Sequence, residues 1–279
     1  MPELPEVETI RRQLEPLLRG RRLVDAWAFP HPKFTPALDA AGATVDTVSR
    51  EGKYLLLGLG DGRDLVIHLG MTGSLRVRPQ GEPGDPYVRA HWVLDGGGPD
   101  GTAAGAGHGA GEALEYRDVR RFGRLAVVRP GEHHGTLGVQ GPDALDPALT
   151  DPAFWRALQG SRRALKTQLL SQRPIAGVGN IYADEALWRA RLHPARRSVT
   201  RTQAAALLDA LRAVLTEGVE NGGTTLRDYR TVAGERGRNQ TRLDCYGRAG
   251  EPCRRCATPL RRIVLDARST TFCPVCQRR

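Results

Sequence analysis

Four cysteines near the end of the chain stand as two pairs, Cys253-x2-Cys256 and Cys273-x2-Cys276, with sixteen residues between them. Two such knuckles, separated by the length of a short hairpin, place four thiolates at tetrahedral distance around Zn(II), which is the spacing of a zinc ribbon. Four sulfur ligands close the coordination shell, so the pattern predicts one structural Zn(II) ion and not a catalytic one. A module of this size has too little core to fold alone and takes its stability from the metal. Arg254, Arg255, Arg261, Arg262 and Arg268 make it basic, as a clamp on phosphate would be. Cys245 is left outside the pattern.

The second group with chemical capacity is the opening Met1-Pro2-Glu3-Leu4-Pro5-Glu6. Proline beside the initiator is small enough for Met1 to be removed, which would free the secondary amine of Pro2. An α-amine titrates near about 8, well below a lysine, so a useful neutral fraction exists at physiological pH. When a secondary amine adds to an aldehyde-level carbon, the adduct becomes a cationic iminium, an electron sink that favours elimination at the neighbouring carbon. Glu3 and Glu6 stand beside it as proton donors or acceptors. The same residues also read as a turn that starts a helix, with proline early and acids at the positive end of the helix dipole. Taken alone they leave both readings open.

These groups need elements to position them. Val7, Ile10, Leu14, Leu17 and Leu18 recur at helical spacing and predict an amphipathic helix ending at Gly20. From about residue 22 to 129 the pattern changes to short runs, KYLLLGL (53 to 59), DLVIHLG (64 to 70), RAHWVLD (89 to 95) and RLAVVR (124 to 129), separated by Gly, Asp and Pro. That predicts a two-layered sheet domain. The Gly/Ala stretch from Gly96 to Gly111 cannot bury anything and reads as a flexible loop inserted between strands. Residues 131 to 152, rich in Gly, Pro, Asp and His, read as a connection. Ala204, Leu207, Leu208, Leu211, Val214 and Leu215 then give a 3.6-residue stripe, and Ile181 to Arg191 a second helix. The expected fold class is α+β and multi-domain: an N-terminal β-sandwich with a flanking helix over 1 to 130, a linker over 131 to 152, a helical domain over 153 to 242, and a zinc ribbon or finger over 243 to 279.

Lys and Arg total 41 against 31 Asp and Glu, a formal net charge of +10 with a pI near 9.9, which is the balance of a protein that neutralises phosphates. No apolar run reaches the roughly 18 to 20 residues that span a bilayer, and the acidic N-terminus lacks the basic start of a signal peptide. The expectation is a soluble, unexported, cytoplasmic protein with no membrane partner, acting as a monomer. CxxC pairs in such a compartment suit metal better than disulfides.

Two further constellations suit DNA. Lys53, His68, Met71, Arg120 and Phe122 lie in the sheet region. An enzyme that acts on a base within a duplex must extrude it, and the vacated stack costs a few kcal/mol unless something fills the gap. An apolar wedge with a guanidinium that bonds the orphaned partner base would do so; read alone, Met71 and Phe122 are core residues and His68 an ordinary strand histidine. Gly177-Val178-Gly179-Asn180 opens a helix, with glycines that let the backbone approach a ligand and Asn180 as a natural N-cap, the form of an anion site.

Read whole, PELPEVET at the N-terminus, GKYLLL (52 to 57), HLGMTGSLR (68 to 76), RDVRRFG (117 to 123), GVGNIYADE (177 to 185), YGRAGEPC (246 to 253) and the terminal cysteine motif closely resemble the formamidopyrimidine-DNA glycosylase family, in order and over essentially the whole chain. The resemblance implies that Pro2 is the nucleophile at C1′ of the damaged nucleotide and Glu3 a proton-transfer residue. It implies that Met71 and Phe122 form the wedge, that Arg120 meets the opposite base, and that Lys53 and His68 hold backbone phosphate close to the lesion. It also implies a helix-two-turns-helix element in which Asn180 binds DNA backbone, with Arg268, Tyr246 and, read as closing the preceding helix, Lys166 as further contacts. The partner implied is double-stranded DNA containing an oxidised base, gripped between the two domains. The activity implied is excision of 8-oxoguanine and formamidopyrimidines through a Schiff base, followed by β,δ-elimination. Ser171-Gln172 departs from the Asp-Gln pair often found before this turn, and residues 225 to 240 lie where the family reads the flipped base. The alternatives are the sister endonuclease VIII type, acting on oxidised pyrimidines, and a zinc-ribbon DNA-binding protein without catalysis.

Overall fold

The computed structural model describes residues 1–79, 84–96, 111–129, 132, 135 and 137–278. The chain forms two compact units, one of residues 1–138 with 222–237, the other of residues 139–221 with 238–279. Most of the Gly/Ala stretch expected as a flexible loop, residues 97–110, lies outside the described residues.

The first unit opens with α1 (Leu4–Leu18), which a capping box starts: the Glu3 and Glu6 carboxylates each accept the other's backbone amide, satisfying two of the donors a helix leaves unpaired. Leu4, Val7, Ile10, Leu14 and Leu18 form its buried stripe. Leu17, read into that stripe from the sequence, is 41% exposed, because Leu14 and Leu18 complete the apolar face without it. Among the described residues eight strands follow in two antiparallel sheets. One has the order β1 (Leu23–Ala28), β6 (Val88–Leu94), β7 (Glu112–Asp118), β5 (Gly73–Pro79); the other has β2 (Val45–Glu51), β3 (Tyr54–Leu59), β4 (Asp64–His68), β8 (Arg124–Val128). A single core takes Leu23, Leu75, Trp92, Leu114 and Tyr116 from the first sheet and Val45, Val48, Leu55, Leu57, Leu65 and Ile67 from the second, so the sheets pack as the two layers of a sandwich. The stripe of α1 enters the same core.

Register fixes which strand ends share an edge. Tyr54 pairs with His68, His68 with Arg124, and Gly73 with Asp118. The turn before β3, the β4–β5 loop and the β7–β8 loop therefore all emerge at these paired strand ends.

The second unit holds α2 (Asp151–Gln159), α3 (Leu165–Leu170), α4 (Asn180–Arg189) and α5 (Arg201–Glu220), followed by a hairpin of β9 (Arg261–Leu265) and β10 (Arg268–Phe272). A second capping box, between Thr200 and Gln203, starts α5, whose predicted stripe is buried throughout. The hairpin turns through two residues, Asp266 and Ala267, both at positive φ (45° and 60°), the conformation whose twist matches a tight antiparallel pair. The stretch expected as pure connection carries Ala144 and Leu149 into the interior, and Asp143 bridges to Ala176. Among the described residues no helix is long and apolar enough to cross a membrane.

The unequal burial of two neighbouring leucines gives a direct check. Leu14→Ala should cost about 2–5 kcal/mol in urea unfolding, whereas Leu17→Ala should stay within about 0.5 kcal/mol of the parent.

Candidate active site

Pro2 is buried directly before α1, with Met1 half-exposed outside it. Glu6 does more than cap the helix. One of its carboxylate oxygens accepts the Glu3 amide (2.8 Å) and the other accepts the amide of Thr224 (2.7 Å), 218 residues along the chain. The Tyr229 hydroxyl donates to the Glu6 carbonyl and to that of Gly222 (3.4 and 3.2 Å), and the Gln13 side chain accepts the Val232 amide (2.8 Å). Residues 222–237 are thereby laid along α1. Burial, with the nearby Glu6 charge, pushes the Tyr229 hydroxyl far up, so it remains a donor. Of the two acids proposed for proton transfer, Glu6 has both oxygens committed to backbone amides; Glu3, the neighbour of Pro2, is buried. Gly223, at φ +83°, has no room for a Cβ, which would press on Tyr229 and on Glu6.

Lys53 sits buried in the turn between β2 and β3. That turn is tied to α1 through Arg50, whose guanidinium donates to the Gly52 carbonyl (2.9 Å) and to Glu8 (3.1 Å). Burial works against the charged form of Glu8, but the guanidinium groups of Arg11, Arg12 and Arg50 outweigh it and hold the carboxyl below its ordinary range. His68 ends β4 with its ring 4.9 Å from that of Tyr54. Its Nδ1 accepts the Gly70 amide (3.3 Å). Met71, Arg120 and Phe122 lie in the two loops that follow, and the Arg120 guanidinium stacks 4.6 Å over the Phe122 ring. The five residues suggested from sequence thus gather at one set of strand ends.

In the second unit Gln172, at φ 61°, organises the two turns before α4. Its amide group donates to Val178 (2.7 Å) and its oxygen accepts the Gly177 amide (2.9 Å). Asn180 is the first residue of α4, with Gly179 as the cap, one residue from the sequence reading. Its side chain reaches the Tyr246 hydroxyl (3.5 Å). Tyr246 is itself set by Glu185, whose buried carboxylate accepts the amides of Asp244, Cys245 and Tyr246 (2.8, 2.8 and 2.7 Å).

Asp184 does the same for the hairpin: it accepts the Thr271 amide (2.9 Å) and pairs with Lys166 at 2.6 Å, and Lys166 also donates to the Ser269 carbonyl (2.9 Å). Burial pushes both carboxyls up, Asp184 to about 7, against the pull of Lys166 and of the backbone amides. Lys166 stands in α3 near its start, 0% exposed, with its ammonium spent on these partners. The expectation that it meets DNA finds no surface here; it joins α3, α4 and β10. Arg268, next to the tight turn, is exposed.

The Sγ atoms of Cys253, Cys256, Cys273 and Cys276 all lie within 4.8 Å of one another, and Cys256 stands 3.5 Å from both Cys273 and Cys276. A tetrahedral shell of about 2.3 Å Zn–S bonds needs sulfurs about 3.8 Å apart, so the donor set fits one Zn(II). Trp188 Nε1 donates to Cys253 Sγ (3.4 Å), and Arg255 stacks over the Trp188 ring (3.8 Å). Two of the five basic residues are thus engaged internally, Arg255 here and Arg254 with Asp244 (3.1 Å). Cys245 is a core residue: fully buried, its thiol donates to the Thr271 carbonyl (3.1 Å), and burial pushes its pKa far up.

A sandwich led by Pro-Glu, a glycine-turn helix element and a four-cysteine finger follow one another along the chain. The sequence matches the formamidopyrimidine-DNA glycosylase N-terminal domain over residues 1–125, the H2TH domain of the same enzymes over 140–230, and a zinc finger found in FPG and IleRS over 250–279. It is 46% identical over 283 residues to a formamidopyrimidine-DNA glycosylase of Thermus thermophilus, covering 99% of this chain and 98% of that one. The crystal structure of the MutM (Fpg) protein from that organism superposes with a TM-score of 0.87, at the same identity and over 99% and 98% of the two chains. A Lactococcus lactis FPG mutant in complex with Fapy-dG containing DNA gives 0.85 at 30% identity, over 100% of both chains. The chain belongs to the formamidopyrimidine-DNA glycosylase family.

The buried Lys166–Asp184 pair should be far costlier to break than to replace. Asp184→Ala leaves an uncompensated ammonium and should destabilise by about 3–5 kcal/mol, while Lys166→Met with Asp184→Leu should recover most of the loss in thermal unfolding.

Proposed function

We propose that this chain excises oxidised purines, 8-oxoguanine and formamidopyrimidines, from duplex DNA and then cuts the abasic strand. Once Met1 is removed, the Pro2 nitrogen attacks C1′ of the damaged nucleotide, and the bond from C1′ to the base breaks as the base leaves with a proton. Loss of the amine proton and opening of the sugar ring give a cationic iminium between Pro2 and C1′. The iminium draws electrons from C2′, which loses a proton as the 3′ phosphate departs; a second elimination releases the 5′ phosphate. In this reading Glu3, next in the chain, is the carboxyl that hands over and takes back protons.

The observation that carries this reading is the pinned N-terminus: Pro2 and Glu3 sit against a helix whose start is tied through Glu6 to residues 222–237. A free α-amine held this way is both nucleophilic and pre-oriented. Lys53, His68, Asn180, Tyr246 and Arg268 are proposed to hold phosphates, and Met71, Arg120 and Phe122 to fill the vacated stack. The Lactococcus relative crystallised with Fapy-dG containing DNA supports damaged DNA as the partner. The zinc site is structural and keeps the hairpin with Arg268 in shape. A cytoplasmic location accords with the bacterial source of the relatives.

Borohydride trapping tests the reading. A duplex with one 8-oxoguanine opposite cytosine should give a covalent adduct, and Pro2→Gly should abolish it. An adduct on thymine glycol alone would assign the sister activity, and none on either lesion would leave a DNA-binding protein. Full activity with Met1 retained would overturn the nucleophile. In a separate measurement Cys253→Ser should drop bound zinc from one ion to none and lose duplex binding in gel shift.

A further inference from the structure

The β4–β5 loop (residues 69–72) and the β7–β8 loop (residues 119–123) carry Met71 and the Arg120–Phe122 pair. Both expose apolar side chains, Met71 at 36% and Phe122 at 46%, yet neither loop is loosely held. Asp118, the last residue of β7 and 0% exposed, joins them. One of its oxygens accepts the Thr72 hydroxyl (2.6 Å) and the other accepts the Gly123 amide (2.8 Å). Thr72 Oγ1 in turn accepts the Arg120 amide (3.1 Å), which closes a circuit from one loop to the other. The Asp118 carbonyl takes the buried Arg89 Nε (3.0 Å) and its amide donates to the Tyr87 carbonyl (2.9 Å), fixing the hub to the sheet.

Steric contact adds to the bonding. A Cβ on Gly70 would collide with the backbone of Phe122 and Gly123, and one on Gly123 would collide with the Tyr116 hydroxyl. The two loops therefore interlock and cannot shift separately. No substrate is needed to explain a buried, saturated carboxylate, but its output is specific. It sets the spacing between the thioether of Met71 and the stacked guanidinium and ring of Arg120 and Phe122.

We infer that Thr72 and Asp118 are positioning residues for base extrusion, holding the wedge and the opposite-base guanidinium at one fixed separation. This rests on the reading that Met71, Arg120 and Phe122 fill the emptied stack. A wedge on a yielding loop would bend instead of unstacking the step, and a displaced Arg120 would lose its choice between partner bases.

Thr72→Val keeps the side-chain volume and removes the hydroxyl, while Thr72→Ser keeps the hydroxyl; zinc content and thermal unfolding establish that each is folded. Single-turnover excision would be measured on 8-oxoguanine duplexes with cytosine or adenine opposite. Borohydride trapping on a single-stranded abasic oligonucleotide, which has no stack to fill and no partner base, serves as the second readout. Thr72→Val should slow duplex excision by about 10-fold or more, a misplacement effect, and shrink the cytosine-over-adenine preference by a similar factor. Trapping on the single strand should stay within about twofold, as it needs only Pro2 and its neighbours. Thr72→Ser should restore both duplex properties. Asp118→Asn, which offers one acceptor oxygen to two donors, should reproduce the duplex defect if Thr72→Val does not fold. Equal losses on duplex and single strand, or an unchanged duplex rate and preference, would overturn the inference. If the parent protein traps neither substrate, the proposed activity itself fails, a result distinct from a parent that traps both and a Thr72→Val variant that matches it.

Discussion

The end of a polypeptide is ordinarily its least constrained point, and the nucleophile proposed at Pro2 would waste most of its encounters if left so. Here that freedom is removed by one carboxylate. Glu6 binds the Glu3 amide on its own helix and the Thr224 amide from far along the chain, so the start of α1 and residues 222–237 are fixed by the same group. Because Glu6 is buried, losing either partner would cost a buried hydrogen bond, which favours keeping both in place together. The placement of Pro2 and Glu3 depends on this clamp, and so does the position of the segment that faces them.

Buried carboxylates serve the second unit in the same way. Asp184 and Glu185 are adjacent in α4 and point to different clients, one to β10 and Lys166, the other to the backbone of residues 244–246. With Asn180 heading the same helix, a single ten-residue element organises the groups proposed to hold phosphate on this unit. The finger is likewise bound to α4 by Trp188 and Arg255 and through the Gln277 side chain to the Leu192 carbonyl (2.9 Å), so the metal is not its only anchor. Short acids and amides do most of this bonding, and Lys166 and Arg255 are the long basic side chains drawn into it.

Features that depend on local pattern were legible in the sequence. The cysteine spacing defined the metal site outright, the apolar runs at 53–59, 64–70, 89–95 and 124–129 each became a strand, and the stripe of α5 lies on its buried face. Strands β1, β2, β5 and β7 were not distinguished, since polar and charged residues dilute their alternation; in β5 and β7 these pair across the sheet, as Arg76 does with Glu115 (2.7 Å). What depends on long-range pairing was invisible. Nothing local in residues 222–237 says that they join the sandwich and not the helices around them, and nothing in Lys166 distinguishes a phosphate contact from a buried ion pair. The expected linker sends Ala144 and Leu149 into the interior, two buried residues whose spacing makes no period, while Val139 stays exposed.

The first unit is built from two separate stretches of chain, and this limits how the protein can be dissected. A fragment ending at residue 138 would contain every strand of the sandwich yet lack Thr224, Tyr229 and Val232, leaving the Glu6 and Gln13 side chains facing water where backbone amides belong. Such a piece could keep its sheets and still present a frayed amino end. The sandwich is thus a structural domain without being a genetic one: residues 222–237 can join it only after the helices of the second unit that precede them have been made.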